Sequence, residues 1–264
     1  MKILSYLGWG IAHERQGVPC QDAVGYAFHD NGNVIAVLSD GASGSRFARE
    51  AAQANVDAVI DYFREHTARW FRGLTPREGA RSITMYCLQR LRQQAVVLGG
   101  CAGGDLCATL QFALWDGEIL TLGHLGDGFA MAVDAKGQTD RLCMPERRAG
   151  QRMWFTVQQD APDHLQLHHC EADSFLLTSD GACGMLLGWS EGREEHAAGI
   201  LIDLVRRGEI ETAEDLASFL NAMAAQPGDR LDDWSFLIGC PGMNTPCVEY
   251  PVVSMFHEER EKIK

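Results

Sequence analysis

Two identical acidic tetrapeptides are the part of this sequence best suited to chemistry. The sequence Ser-Asp-Gly-Ala occurs at residues 39–42 and again at residues 179–182, each time directly after a short apolar run, residues 34–38 and 175–178. Short apolar runs of this kind predict buried strands, so two strands end in the same acidic tip. Each Asp-Gly pair taken alone is typical of a turn.

Further acidic residues stand at the ends of other predicted strands. They are Asp127 after residues 119–125, Asp232 and Asp233 before residues 234–238, and Asp22, preceded by Gln21, before residues 23–28. If these strands are neighbours, the carboxylates converge, and so much negative charge is costly without a compensating cation. Ligand sets made only of oxygen atoms favour Mg²⁺ or Mn²⁺ over Zn²⁺. The pattern therefore predicts a divalent metal centre.

The order of these motifs resembles the protein phosphatase 2C family. That family has an acidic pair before an early strand, a strand ending in Asp-Gly, a Gly-Asp after a hairpin, a second strand ending in Ser-Asp-Gly, and Asp-Asn before the last strand. The matching positions here are Gln21-Asp22, Asp40-Gly41, Gly126-Asp127, Ser179-Asp180-Gly181 and Asp232-Asp233. The resemblance covers residues 3–240.

The resemblance implies a set of metal ligands and a reaction. Asp40 would bridge two Mn²⁺ or Mg²⁺ ions, the Gly41 carbonyl would bind one of them, and Asp180 and Asp232 would complete the first site. Asp127 with Asp180 would hold a third, looser ion, and Gln21 and Asp22 complete the predicted metal-binding set. The ions would activate a bridging hydroxide for direct attack on phosphoserine or phosphothreonine. The predicted catalytic residues are thus Asp40, Asp180 and Asp232.

Three positions depart from the family pattern. Gln21 stands where the family usually has a glutamate, and a neutral amide binds a divalent ion less strongly. Gly17 occupies the position of the family's phosphate-binding arginine, so His13 or Arg15 are the candidates for phosphate contact, although an exposed loop arginine is the alternative for Arg15. Ala42 replaces the histidine of eukaryotic members. These departures keep open a second hypothesis, a weak or inactive phosphatase-like regulator that binds phosphoproteins or a partner.

The elements that must position these residues form a mixed pattern. Strands are predicted at residues 3–8, 23–28, 34–38, 107–115, 119–125, 129–133, 175–178 and 234–238, and helices at 46–64, 76–98, 193–206 and 212–224. This order lacks strict alternation and favours an α+β fold with antiparallel sheets covered by helices. The resemblance implies a four-layer α-β-β-α sandwich with two central, mainly antiparallel sheets. We expect one domain over residues 1–240 and an extension over 241–264.

Composition excludes several classes of protein. Of 264 residues, 23 are basic and 36 acidic, and the net charge of −13 repels nucleic acid and anionic lipid. The start of the chain lacks the pattern of a signal peptide, and no apolar run has the length of a membrane span. The nine cysteines form no Cys-x-x-Cys pair and are interpreted as reduced thiols. The sequence predicts a cytoplasmic monomer whose partners are a phosphorylated protein and a cognate Ser/Thr kinase or its targets.

Two other motifs invite alternative interpretations. Residues 188–192 read Gly-Trp-Ser-Glu-Gly and match the nucleophile elbow of serine hydrolases, but the downstream histidine would be His257, near the end of the chain. Residues 135–172 are predicted to form an irregular insertion that contains Arg147-Arg148 and His168-His169. The arginine pair is a candidate phosphopeptide contact or a solvated basic turn.

Overall fold

The structure is a computed structural model that describes residues 1–30, 32–143, 153–187, 194–223 and 232–241. Its strands are β1 (Lys2–Gly8), β2 (Ala23–Phe28), β3 (Val34–Ser39), β4 (Leu110–Trp115), β5 (Leu120–Leu125), β6 (Phe129–Val133), β7 (Thr139–Cys143), β8 (Gln166–Cys170), β9 (Ser174–Thr178) and β10 (Trp234–Cys240). Its helices are α1 (Ile11–Gln16), α2 (Ala48–Glu65), α3 (Ala68–Arg72), α4 (Pro76–Val97), α5 (Ala161–His164), α6 (Asp180–Leu187), α7 (Glu194–Arg206) and α8 (Ala213–Met223).

The strands form two five-stranded sheets in the order β1-β10-β9-β6-β7 and β2-β3-β4-β5-β8. The paired strands within both sheets are antiparallel. Helices α2 and α4 pack against the second sheet, and α6, α7 and α8 pack against the first. The predicted α+β fold, with two antiparallel sheets flanked by helices, is confirmed.

Strand β3 shows why the predicted strands read as continuous apolar runs. Alternate residues of a strand point to opposite faces of the sheet. Ile35 and Val37 pack into the core under α2 and α4, whereas Ala36 and Leu38 pack into the core between the two sheets. Because both faces of the sheet are covered, every residue of β3 is buried, and the strand delivers Asp40 at the end of a fully packed element.

Two of the predicted helices, α4 and α8, begin at capping pairs. Thr75 caps α4 in a reciprocal pair with Glu78, with Pro76 in the first turn. Thr212 and Asp215 form the equivalent pair before α8, with Thr212 N donating to Asp215 Oδ2 at 3.0 Å and Asp215 N donating to Thr212 Oγ1 at 3.1 Å. Hydrogen bonds made by these side chains satisfy the first N–H groups of each helix.

Several short elements were not predicted, namely α1, α3, α5, α6, β7 and β8. The prediction of an irregular insertion over residues 135–172 is wrong for its described part, because β7, α5 and β8 lie within it. Within the described part of the chain, β7 and β8 each pair with one neighbouring strand at a sheet edge, and their polar residues obscured the apolar pattern. Arg147-Arg148, residues 188–192 and His257 lie outside the described residues.

No helix in the described part of the chain combines the length and the apolar character that crossing a bilayer requires.

Candidate metal centre

Carboxylates from both sheets converge at one end of the sandwich. Asp40 follows β3 in the second sheet, Asp180 follows β9 in the first, and Asp127 lies in the turn that leads from β5 to β6. One carboxylate oxygen from each of these three residues lies within 4.8 Å of the others. The convergence that the sequence predicted for Asp40, Asp127 and Asp180 is therefore present in the fold.

The electrostatics place a fourth carboxylate in the same cluster. Burial raises the pKa of Asp40 well above its usual range, and the negative charges of Asp22, Asp180 and Asp127 raise it further. Burial also raises the pKa of Asp22 to about 7, against the lowering effect of the Ser235 hydroxyl, which donates to Asp22 Oδ2 at 2.7 Å. These shifts mean that the cluster resists carrying its full negative charge unless a cation is present.

Oxygen atoms near the cluster remain without protein partners. Asp22 Oδ1 and Gln21 Oε1 are buried and accept no hydrogen bond from the described residues. The arginine ion pairs within the described ranges go to Asp61, Asp116, Asp163, Asp173 and Asp203 rather than to Asp22 or Asp40. Buried polar atoms normally have partners, and an all-oxygen set suits a hard divalent cation. These residues therefore fit Mg²⁺ or Mn²⁺.

Two glycines allow the backbone to close around the cluster. A side chain at Gly41 would begin 2.5 Å from the Ala48 carbonyl oxygen and 2.7 Å from the Gln21 carbonyl oxygen. A side chain at Gly181 would begin 2.1 Å from the Asp233 carbonyl oxygen. Both contacts are with backbone, so the glycine after each aspartate brings Gln21 and Asp233 next to the two tetrapeptides.

Asp232 and Asp233 have different environments although they are adjacent. Asp232 is exposed and lies beside Gly181, where a Cβ would be 3.4 Å from Asp232 Cβ. Asp233 is buried, and its two oxygens accept hydrogen bonds from Gly10 N at 2.8 Å and Gln21 N at 2.7 Å. Asp233 thus clamps both ends of the loop that precedes β2, whereas Asp232 is free of that constraint.

The two candidate phosphate contacts also differ. His13 Nδ1 lies 2.8 Å from Asp233 Oδ2, and one ligand atom each from His13, Asp232 and Asp233 lie within 4.8 Å of one another. Since Asp233 is occupied by two backbone N–H groups and by His13, we interpret this second group as a clamp rather than a metal site. Arg15 is exposed on α1. The clamp was missed in the sequence, where Asp233 looked like a simple variant of the family's asparagine.

Comparison with known proteins identifies the family. The protein phosphatase 2C family model matches residues 9–221. The chain belongs to the protein phosphatase 2C family. No curated protein matches the sequence significantly.

Solved structures share the fold at low sequence identity. A serine/threonine phosphatase from Staphylococcus aureus has a TM-score of 0.62 and 16% identity, over 92% of this chain and 95% of its own. A serine/threonine phosphatase from Mycobacterium tuberculosis has a TM-score of 0.60 and 16% identity, over 91% and 99%. The catalytic domain of the phosphatase PstP in complex with two manganese ions has a TM-score of 0.59 and 15% identity, over 90% and 96%. At such identities the likeness establishes the protein phosphatase 2C fold.

Proposed function

We propose that this protein is a metal-dependent phosphatase that hydrolyses phosphoserine and phosphothreonine in proteins. The observation that carries the proposal is the convergence of the Asp40, Asp127 and Asp180 carboxylates, with Asp22 close enough to raise the pKa of Asp40. Membership of the protein phosphatase 2C family supports it. The manganese complex of PstP supports Mn²⁺ as a cofactor class.

In this proposal the chain's oxygen atoms would hold two ions and a looser third one. Asp40, whose carboxyl lies near those of Asp22, Asp180 and Asp127, would be a shared ligand, and the Gly41 carbonyl, Asp180 and Asp232 would complete the first site. Gln21 and Asp22 contribute the unpartnered buried oxygens to the second, and Asp127 with Asp180 serves the third. Bound ions would lower the pKa of an attacking water and offset the negative charge of the phosphoryl group.

The surrounding residues orient the substrate and hold the ligands. Ser235 fixes the Asp22 carboxylate by its hydroxyl group, and Asp233 holds the loop that presents His13 and Gln21. His13 and the exposed Arg15 are the proposed phosphate contacts. The proposal extends to a catalytic domain over residues 1–240 with a C-terminal extension, acting as a cytoplasmic monomer on proteins phosphorylated by a cognate Ser/Thr kinase.

Hydrolysis of p-nitrophenyl phosphate and of a phosphothreonine peptide tests the proposal. The wild type should be active with Mn²⁺ and inactive with chelator, and Asp40→Asn should lose on the order of 100-fold or more of the activity. Asp203→Asn is the matched control, because Asp203 is half exposed and pairs with Arg207 at the end of α7 rather than with the cluster. Wild-type turnover no faster than that of Asp40→Asn would contradict the proposal.

Gln21→Glu separates an intact second ion site from a weakened one. A carboxylate in place of the Gln21 amide should lower the Mn²⁺ concentration needed for half-maximal activity by about tenfold, because an anionic oxygen binds the ion more strongly. An inactive wild type that gains activity from this change would instead support the regulatory alternative.

A further inference from the structure

A buried asparagine lies beside the strand end that carries Asp40. Asn55 lies on α2 and has no exposed surface. Its amide nitrogen donates hydrogen bonds to Ser39 Oγ and to the Thr109 carbonyl oxygen, each at 3.2 Å. Because a carbonyl oxygen can only accept, these contacts require the amide nitrogen of Asn55 to face β3 and Thr109.

Thr109 in turn holds the backbone of Asp40 on both sides. Thr109 N donates to the Asp40 carbonyl oxygen at 2.8 Å, and Asp40 N donates to Thr109 Oγ1 at 2.9 Å. Ser39 Oγ donates to the Thr109 carbonyl oxygen at 2.5 Å. Asn55 and Ser39 thus fix the carbonyl group of the same residue that fixes the main chain of Asp40.

The remaining polar atom of Asn55 is satisfied from a distant part of the chain. Thr156 Oγ1 donates to Asn55 Oδ1 at 3.0 Å, and Thr156 N donates to the Ala108 carbonyl oxygen at 3.2 Å. Thr156 is 1% exposed. It belongs to residues 153–165, here called the docking segment, which packs on the core beneath α2 and α4 through Trp154, Val157, Ala161 and Leu165.

We propose that Asn55 and Thr156 are positioning residues for Asp40, and that metal binding at Asp40 depends on the docking segment being in place. The inference rests on the proposed function for its catalytic consequence. Asn55 acts through the Ser39 hydroxyl group and the Thr109 carbonyl group, and Thr156 acts through Asn55. Ser39, Asn55, Thr109 and Thr156 are all buried. Loss of the Thr156 hydroxyl therefore leaves Asn55 Oδ1 without its donor, and the other members shift to compensate.

Substitutions at both residues test this inference. Thr156→Val keeps the shape of the side chain and removes its hydroxyl donor, and Thr156→Ser restores the donor. Asn55→Leu removes both the amide nitrogen that donates to Ser39 and Thr109 and the amide oxygen that accepts from Thr156. Two buried residues elsewhere give matched controls. Thr84 donates its hydroxyl to Ala80 O within α4, and Asn33 binds the carbonyl groups of Phe63 and His66. Thr84→Val and Asn33→Leu therefore remove similar buried hydrogen bonds that lie outside the network around Asp40.

Two readouts are measured on the full chain, the half-saturating Mn²⁺ concentration and the hydrogen-exchange rates of the Asp40 and Thr109 amides. Thr156→Val and Asn55→Leu should raise the half-saturating Mn²⁺ concentration by about tenfold, because each removes support from a metal ligand. Both should also accelerate hydrogen exchange at the Asp40 and Thr109 amides. Thr156→Ser should restore both readouts. The controls should lower Tm and leave both readouts unchanged.

The exchange measurement keeps this inference separate from the proposed function. A wild type that binds no Mn²⁺ defeats the proposed function, and amide exchange in metal-free protein then decides the positioning role alone. If Thr156→Val and Asn55→Leu lower Tm as the controls do, with Asp40 and Thr109 exchange unchanged, the residues are merely structural and the inference is overturned.

Discussion

The sequence Ser-Asp-Gly-Ala folds in two different ways in this molecule. At residues 39–42 the chain stays extended after β3, where Gly41 forms a bridge with Ala108 and Ala42 N donates to the Cys107 carbonyl oxygen. At residues 179–182 the same sequence begins helix α6 at Asp180. The two carboxylates nevertheless meet. The shared feature is therefore the position at the end of a buried strand, and the backbone that follows is set by each sheet's surroundings.

The serines of the two tetrapeptides brace their strand ends differently. Ser39 Oγ donates to the Thr109 carbonyl oxygen and accepts from the Asn55 side chain, so a side chain of α2 takes part in holding it. Ser179 Oγ accepts a hydrogen bond from Ser235 N at 2.9 Å, and Ser179 N donates to Ser235 O at 3.1 Å, so Ser179 pairs with the main chain of β10. The strand end that carries Asp40 therefore depends on α2 and the docking segment, whereas the strand end that carries Asp180 depends on β10.

Replacing the glycine of either tetrapeptide should have the largest effect on the stability of the protein. Gly181→Ala and Gly41→Ala each place a methyl group within 2.5 Å of backbone oxygen and should destabilise the protein by about 2–3 kcal/mol, with Gly181 the more affected because its contact is closer, at 2.1 Å. Gly44→Ala, where nothing lies within 4 Å, is the control. Urea unfolding of the metal-free proteins measures the difference. Equal stability of Gly44→Ala and Gly181→Ala would show that the close approach to Asp233 is wrong.

Removing the charge of the first tetrapeptide should stabilise the metal-free protein. The raised pKa values of Asp40 and Asp22 mean that ionising them costs folding free energy, and this cost appears as pH rises through those values. Asp40→Asn should therefore raise the Tm in chelator by a few degrees, on the order of 1–2 kcal/mol, and more at pH 8 than at pH 5.

Added Mn²⁺ should then stabilise the wild type and leave Asp40→Asn unchanged, because only the wild type keeps the bridging carboxylate. Scanning calorimetry with and without chelator measures both effects, with Asp203→Asn as the control. A lower Tm for Asp40→Asn at pH 8 would mean that the carboxylates do not repel one another.

Exchanging each serine for alanine distinguishes the hydrogen bonds that hold the two strand ends, and the change at Ser39 should give the smallest effect of these substitutions. Ser179→Ala leaves the buried N–H of Ser235 without an acceptor and should cost about 1–3 kcal/mol. Ser39→Ala should cost about 1 kcal/mol, because Asn55 still donates to Thr109 O. Denaturant midpoints in chelator distinguish the two. A larger cost for Ser39→Ala than for Ser179→Ala would contradict the conclusion that the strand end at Asp180 depends more strongly on its serine.

Much of this architecture was predictable from residue patterns. Strands such as β3 and β9 are mostly apolar because both of their faces are covered, and α2 and α4 carry apolar residues at helical spacing, with Pro76 in the first turn of α4. The convergence of Asp40, Asp127 and Asp180 followed from their position at strand ends. These features are local in sequence or repeat a single rule, so the sequence alone indicated them.

The features that escaped prediction depend on tertiary contacts. Strands β7 and β8 contain exposed polar residues, and α6 begins inside a tetrapeptide that is extended elsewhere. Asn55 lies four residues after Ala51 on the buried face of α2, a spacing that could have marked it, but an asparagine in a helix gives no signal of its partners Ser39 and Thr156. Nor does the sequence show that Asp233 would close on Gly10 and Gln21.

The proposed function requires the two tetrapeptides to bind a common divalent ion. Crystals grown with Mn²⁺ and measured at the manganese absorption edge test this directly. We expect an anomalous peak between the carboxylates of Asp40 and Asp180, within coordination distance of both. Ordered carboxylates with no peak between them, or manganese bound only elsewhere on the molecule, would contradict it.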